Sequence, residues 1–128
     1  MSTTCQDEIR SILRLLKTST QSDIIGACVV STDGYLMASQ MSTEIDGDRF
    51  SSMCASLLAL ARQMLTEVDI GEMQQVMVMG SNGISVLTYA GQNSVLALTT
   101  SPKAIQGRVL MESKRAAREI RRILEGDE

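Results

Sequence analysis

The sequence predicts an α+β domain in the order α-β-β-α-β-β-β-α, with a five-stranded, mostly antiparallel sheet flanked by helices on both faces. Three observations lead there. Three stretches repeat apolar residues at helical spacing, five short stretches are rich in aliphatic residues, and the consecutive strands are joined by turns of three or four residues. Turns that short make sequential strands antiparallel neighbours. With no linker, repeat or low-complexity stretch, residues 1–128 read as a single domain.

The first helix is expected over residues 4–20. Thr4 followed by Asp7 resembles a capping box, and Cys5, Ile9, Ile12, Leu13 and Leu16 form one apolar stripe opposite Arg10, Arg14 and Lys17. The polar stretch 18–22 should end it. Residues 24–31 (IIGACVVS) are nearly all apolar, which predicts a strand covered on both faces. Thr32-Asp33-Gly34 is a turn, because glycine supplies the positive φ of a tight hairpin, and residues 35–40 return as the second strand. An acidic loop over 41–48 leads to the middle helix, with Asp46 or Asp48 as its cap.

The middle helix spans about 49–68. Its main apolar stripe is read as Phe50, Met53, Cys54, Leu57, Leu60, Ala61, Met64, Leu65 and Val68. Residues 74–80, 84–89 and 94–100 are three further strands, separated by Ser81-Asn82-Gly83 and by residues 90–93. Pro102, the sole proline, suits the first turn of a helix that runs to about Leu124, with Ile105, Val109, Ala116, Ala117, Ile120, Ile123 and Leu124 on its apolar face. Residues 126–128 are a tail.

Composition excludes several functions. The net charge of −3 gives no electrostatic case for nucleic acid. The charge is polarised, however: residues 18–102 carry a net −6 and residues 103–125 a net +4. Cys5, Cys28 and Cys54 are odd in number and widely spaced, so they form no disulfide framework. There is no CxxC and no histidine, so neither a zinc site nor a His-based nucleophile or acid/base pair is expected. No Gly-rich loop with a lysine makes a phosphate cradle; no cofactor, metal or catalytic residue is predicted. The N-terminus lacks a signal-peptide pattern and no apolar run approaches a membrane span, which reads as a soluble protein of the reducing cytoplasm.

The middle helix is the informative segment. Residues 50–61 contain no charged side chain, whereas a helix lying on a single domain turns a charged face to water. Away from the main stripe stand Ser52, Ala55, Ser56, Ala59 and Gln63, flanked by Ser51 and Leu58, all small or uncharged. Such a face suits close approach of a second helix and predicts a two-fold pair. The following strand holds the uncharged run Val76, Met77, Val78 and Met79; at a sheet edge it would invite pairing with its own copy. The expected dimer interface is therefore Ser52, Ala55, Ser56, Ala59, Gln63, Val76, Met77 and Val78. The last helix also has a basic face, Lys114, Arg115, Arg118, Arg121 and Arg122, read as a solvated surface with Glu112 and Glu119 in reach.

With this order in place, the chain resembles the Roadblock/dynein-light-chain domains, a longin-like fold, over nearly its whole length. The resemblance rests on the hairpin 30–34 followed by Leu36, Met37 and Ala38, on the small-residue middle helix, and on the pattern Val76-Met77-Val78-Met79-Gly80 with Gly83. It extends through residues 94–98 into Ile105-Gln106-Gly107 and Arg115-Ala116-Ala117. It implies a homodimer with antiparallel middle helices and a sheet continuous across the third strands. It also implies a non-catalytic adaptor for a small Ras-like GTPase, as in bacterial members that act as GTPase activators. A structural scaffold subunit is the alternative reading. A profilin- or PAS-like small-molecule sensor is disfavoured by the scarcity of aromatics and the lack of histidine. Arg49 and Arg62 are the only arginines between the outer helices, and neither is singled out as an arginine finger.

Overall fold

The computed structural model describes residues 3–19, 23–42 and 44–126. Residues 20–22, where the first helix is expected to stop, Thr43 of the acidic loop and the last two residues of the tail lie outside the described residues. The elements are α1 (Thr3–Ser19), β1 (Ile24–Ser31), β2 (Leu36–Gln40), α2 (Gly47–Glu67), β3 (Gln75–Gly80), β4 (Gly83–Tyr89), β5 (Ser94–Thr100) and α3 (Gln106–Glu125). The predicted order holds throughout. The five strands form one antiparallel sheet in the order β2-β1-β5-β4-β3, so β5 crosses to the centre and pairs with both β1 and β4.

The turns follow from their residues. Gly34 has φ 94°, which closes the β1–β2 hairpin where a side chain would strain the backbone. At Gly83 the reason is space instead: a Cβ there would run into the Thr100 carbonyl oxygen of β5. Last-helix entry differs from expectation. Pro102 and Lys103 lie in a turn in which Ala104 N–H donates to the Ser101 carbonyl, and the helix begins only at Gln106. Proline's fixed φ serves the turn as well as it serves a first helical turn. Thr4 lies inside α1, so it is not a capping residue.

Alternation along the strands sends side chains to two separate cores. On one face α1 and α3 pack together over the sheet, burying Ile9, Leu13 and Leu16 against Leu96, Leu98, Val29 and Ile120. On the other face α2 alone packs, over β1 and β2, burying Cys54 and Leu58 against Cys28, Val30, Leu87, Val95 and Ala97. β1 is buried along most of its length, as its apolar run predicts, but Ile25 is exposed beside a register irregularity.

The two sheet edges are treated differently. β2 is short, carries a register irregularity against β1, and is contacted by α1, whose Gln6 Nε2 donates to the Met37 carbonyl at 3.0 Å. β3 ends the sheet on the other side and pairs only with β4.

Candidate interaction surface

The surface is built from α2 and the outer strand β3. Asp46 starts α2: its carboxylate Oδ1 accepts the Arg49 N–H at 3.2 Å, satisfying one of the donors that a helix start leaves open. Only Ser51, Cys54 and Leu58 of this 21-residue helix are buried. Their spacing of three and four residues makes the seam that sits on the sheet. The buried Ser51 hydroxyl donates to the Gly47 carbonyl at 2.7 Å, which removes the cost of placing it there.

This seat corrects the predicted helix orientation. Ser51 and Leu58, expected to flank the free face, are the contact with the sheet. Met53, Leu60, Met64 and Val68, expected in the core, are 53%, 60%, 70% and 62% exposed. Leu57 lies between the two groups, half-buried against the core that holds Val76 and Tyr89. Both stripes obey helical spacing, and periodicity alone favoured the larger side chains. The sheet accepts the smaller ones because Cys28, Ala97 and Val30 leave it a shallow surface onto which α2 approaches closely.

The orientation also places the small residues. Ser52 and Ala55 face the β1–β2 hairpin, where a Cβ at Gly34 would stand 3.6 Å from Ser52 Cα and 3.8 Å from Ala55 Cβ. Ser56, Ala59 and Gln63 are exposed. Helical geometry, at about 100° per residue, puts Met53, Leu57, Leu60 and Met64 on the flank opposite Ser52 and Ala55.

β3, the outer strand, carries a second apolar stretch. Val76 and Val78 point to the α2 face, opposite Leu87 and Ser85 of β4; Met77 points to the α3 face, opposite Val86. Val78 and Met79 are exposed. Thus Val76, Met77 and Val78 share the open edge but not one face. Ser52 and Ala55 stand at the β1–β2 hairpin, on the opposite side of the sheet from β3. The predicted interface residues are therefore brought together only in part.

Little on this surface has reactive chemistry. Burial pushes the Cys28 thiol up from 9.0 to about 12, with neighbouring Cys54 adding to the shift, and burial pushes Cys54 up to about 11. Both stay protonated thiols in the α2-side core, the form that makes a poor nucleophile or metal ligand. Among the described residues no group of three or more acidic, cysteine or histidine side chains stands together to hold a metal ion, and no helix is long and apolar enough to cross a membrane.

An antiparallel β2-β1-β5-β4-β3 sheet with paired helices on one face and a single half-seated helix on the other defines a class of small α/β domains. The chain belongs to the Roadblock/LC7 domain family, whose pattern it matches over residues 13–100. It is 30% identical over 112 residues to the uncharacterized protein MJ1340 of Methanocaldococcus jannaschii, covering 88% of this chain and 95% of that one. Among solved structures it is similar to MglB in a tetrameric arrangement, with TM-score 0.88 and 19% identity over 98% of this chain and 94% of the other. The gliding protein MglB of Thermus thermophilus matches with TM-score 0.87 and 18% identity over 98% and 95% of the two chains. At these identities the structural likeness establishes the fold.

Proposed function

We propose that this chain is a non-catalytic, homodimeric adaptor that binds and regulates a small Ras-like GTPase. The observation that carries the reading is the exposed apolar flank of α2, Met53, Leu60 and Met64, in a chain whose sheet also ends in the exposed apolar strand β3. Covering one such side chain contributes roughly 1.5–3 kcal/mol, so leaving all of them in water is costly for a chain that stays alone. A two-fold contact pairs β3 with its copy and lays the two α2 helices side by side. Its centre is Leu60 and Met64 with Ala59, Ser56 and Gln63; its edge is Val76, Met77 and Val78; Ser52 and Ala55 lie at its margin. The GTPase then meets a composite surface of two helices that neither chain offers alone. Membership of the Roadblock/LC7 family supports this choice of partner.

Solution mass by light scattering tests it, alone and with a Ras-like GTPase loaded with GDP or a GTP analogue. The expected result is twice the chain mass, with binding that depends on the nucleotide. Ala59→Glu places a charge where the helices meet and is expected to dissociate the pair; an Ala59→Glu protein that stays fully dimeric refutes helix pairing. Binding indifferent to nucleotide moves the reading to a scaffold subunit. The isolated protein is expected to hydrolyse no nucleotide, and reproducible turnover without a partner overturns the adaptor.

A further inference from the structure

The basic face of α3 is divided in two by its packing. Val109, Ser113, Ala116, Ala117 and Ile120 are the buried seam. Arg108, Arg115 and Arg122 project from the outer side, and Arg115 is paired with Glu112. Lys114, Arg118 and Arg121 sit on the flank that faces β4 and the segment entering β3, and there they line a groove of about 400 Å³. Met73, Gln74, Thr88, Tyr89 and Ala117 complete its lining, Met73 and Tyr89 reaching it from the sheet end, where they also pack against the α2-side core. A second hollow of about 500 Å³ shares Met73, Tyr89 and Arg121 and adds Arg62 from α2.

The two hollows share Met73, Tyr89 and Arg121, so four cations from two helices border one region of the surface. Glu72 is the acid lining this region, and Arg121 is held in place by Glu125, at 3.1 Å from Nε to Oε1. Lys114, Arg118 and Arg62 have no ion-pair partner among the described residues. The groove is held open above by Gln75, whose Nε2 donates to the Thr88 hydroxyl at 3.0 Å and to the Leu110 carbonyl at 3.2 Å, tying β3 and β4 to α3.

We infer that this groove binds a short acidic segment of a partner protein, extended along α3, with an apolar or aromatic side chain seated on Tyr89 and Met73. The chemistry selects that occupant. A bilayer surface is flat and wide, whereas an extended peptide follows a groove beside α3 and offers it carboxylates and an apolar side chain together. A long polyanion such as nucleic acid meets the whole chain, whose net charge is −3. A short peptide senses only charges within a screening length of about 8 Å at physiological salt, and there the groove is basic. Guanidinium groups give carboxylates two-pronged hydrogen bonds, and Arg118 and Arg121 stand on the same flank, three residues apart. Every lining residue comes from one chain, so the inference does not rest on self-association.

The test is fluorescence anisotropy of the full-length protein with a fluorescein-labelled peptide, EEDLFEDE, in about 50 mM salt, where surface charges are weakly screened. Saturable binding is expected, weakening severalfold in about 200 mM salt. The double variant Lys114→Glu/Arg118→Glu is expected to lose at least about tenfold in affinity, since like charges then face the peptide. The double variant Arg108→Glu/Arg122→Glu makes the same change in net charge outside the groove and is expected to bind within about twofold of the parent, as rim and remote charges contribute little. All four positions are exposed, and thermal melting of each variant confirms that it folds. No saturable binding by the parent overturns the inference, as does equal loss in both double variants, which would mean net charge alone. Binding to phosphatidylserine vesicles without binding to the peptide also overturns it, in favour of a membrane surface.

Discussion

The two faces of the sheet are covered with very different thoroughness. On one, α1 and α3 lock together and fully bury Ile9, Leu13 and Ile120 among sheet residues. On the other, α2 rests on three buried residues and leaves Met53, Leu60 and Met64 in water. Yet α1 and α3 are the more charged helices, and α2 carries the long uncharged run. Apolar content therefore does not report how much of a helix its own chain covers. Where a helix is more apolar than its seat requires, the surplus is what the proposed pairing would cover.

The largest effect that sharpens this contrast is a core truncation. Ile120→Ala is expected to cost about 2–5 kcal/mol in urea unfolding, because it opens a cavity in the sealed face. Leu60→Ala, measured in the Ala59→Glu background so that pairing does not intervene, is expected to change stability by less than about 0.5 kcal/mol. Similar losses at the two positions would break the distinction between the faces.

A second comparison uses the thiols. Cys28 and Cys54 lie in the α2-side core, and burial raises both from 9.0, to about 12 and about 11. The unfolded thiols ionise first, so the stability present below pH 9 falls as pH rises through the interval between unfolded and folded values. Urea midpoints at about pH 8, 10 and 11 should decline, and Cys28→Ala/Cys54→Ala should flatten the part of that decline due to these groups. A thiol reagent at about pH 8 should spare both until the protein is unfolded. Rapid reaction of either one in the folded state would show that α2 lifts from the sheet.

The smallest effect concerns how α2 begins. Asp46→Ala removes the acceptor for the Arg49 N–H and is expected to cost about 1 kcal/mol, read from the same unfolding curves. A negligible loss would mean that contacts beyond its first turn hold α2 in place.

Much of the fold was legible because its local signals agree. Short turns specified antiparallel neighbours, Thr32-Asp33-Gly34 marked the hairpin, and the stripes of α1 and α3 named most of the residues that pack on the sheet, Ile105 excepted, which precedes α3 and is exposed. The rotation of α2 was not legible, because Ser51-Cys54-Leu58 and Met53-Leu57-Leu60-Met64 have equally good helical periods. The choice between them depends on the relief of the sheet beneath, made by Cys28, Val30 and Ala97 from two other strands. Crossover of β5 to the centre was likewise hidden, since turn lengths constrain only sequential neighbours. The start of α3 was misplaced by Pro102, a residue equally at home in the turn that it occupies. The groove on α3 needed the fold as well: its cations were visible as a face, but Tyr89 and Met73 come from elsewhere in the chain.

The unequal edges of the sheet fix how many chains can join through it. β2 is short and irregular, and Gln6 already occupies the Met37 carbonyl, so it makes a poor template for strand addition. In the proposed pairing, β3 is the end that joins. A unit with one binding end has a valence of one: when two such ends meet, each is consumed and no growing tip remains. Joined in this way, the sheet terminates at twice its five strands, and any assembly larger than a pair has to be built through the helices.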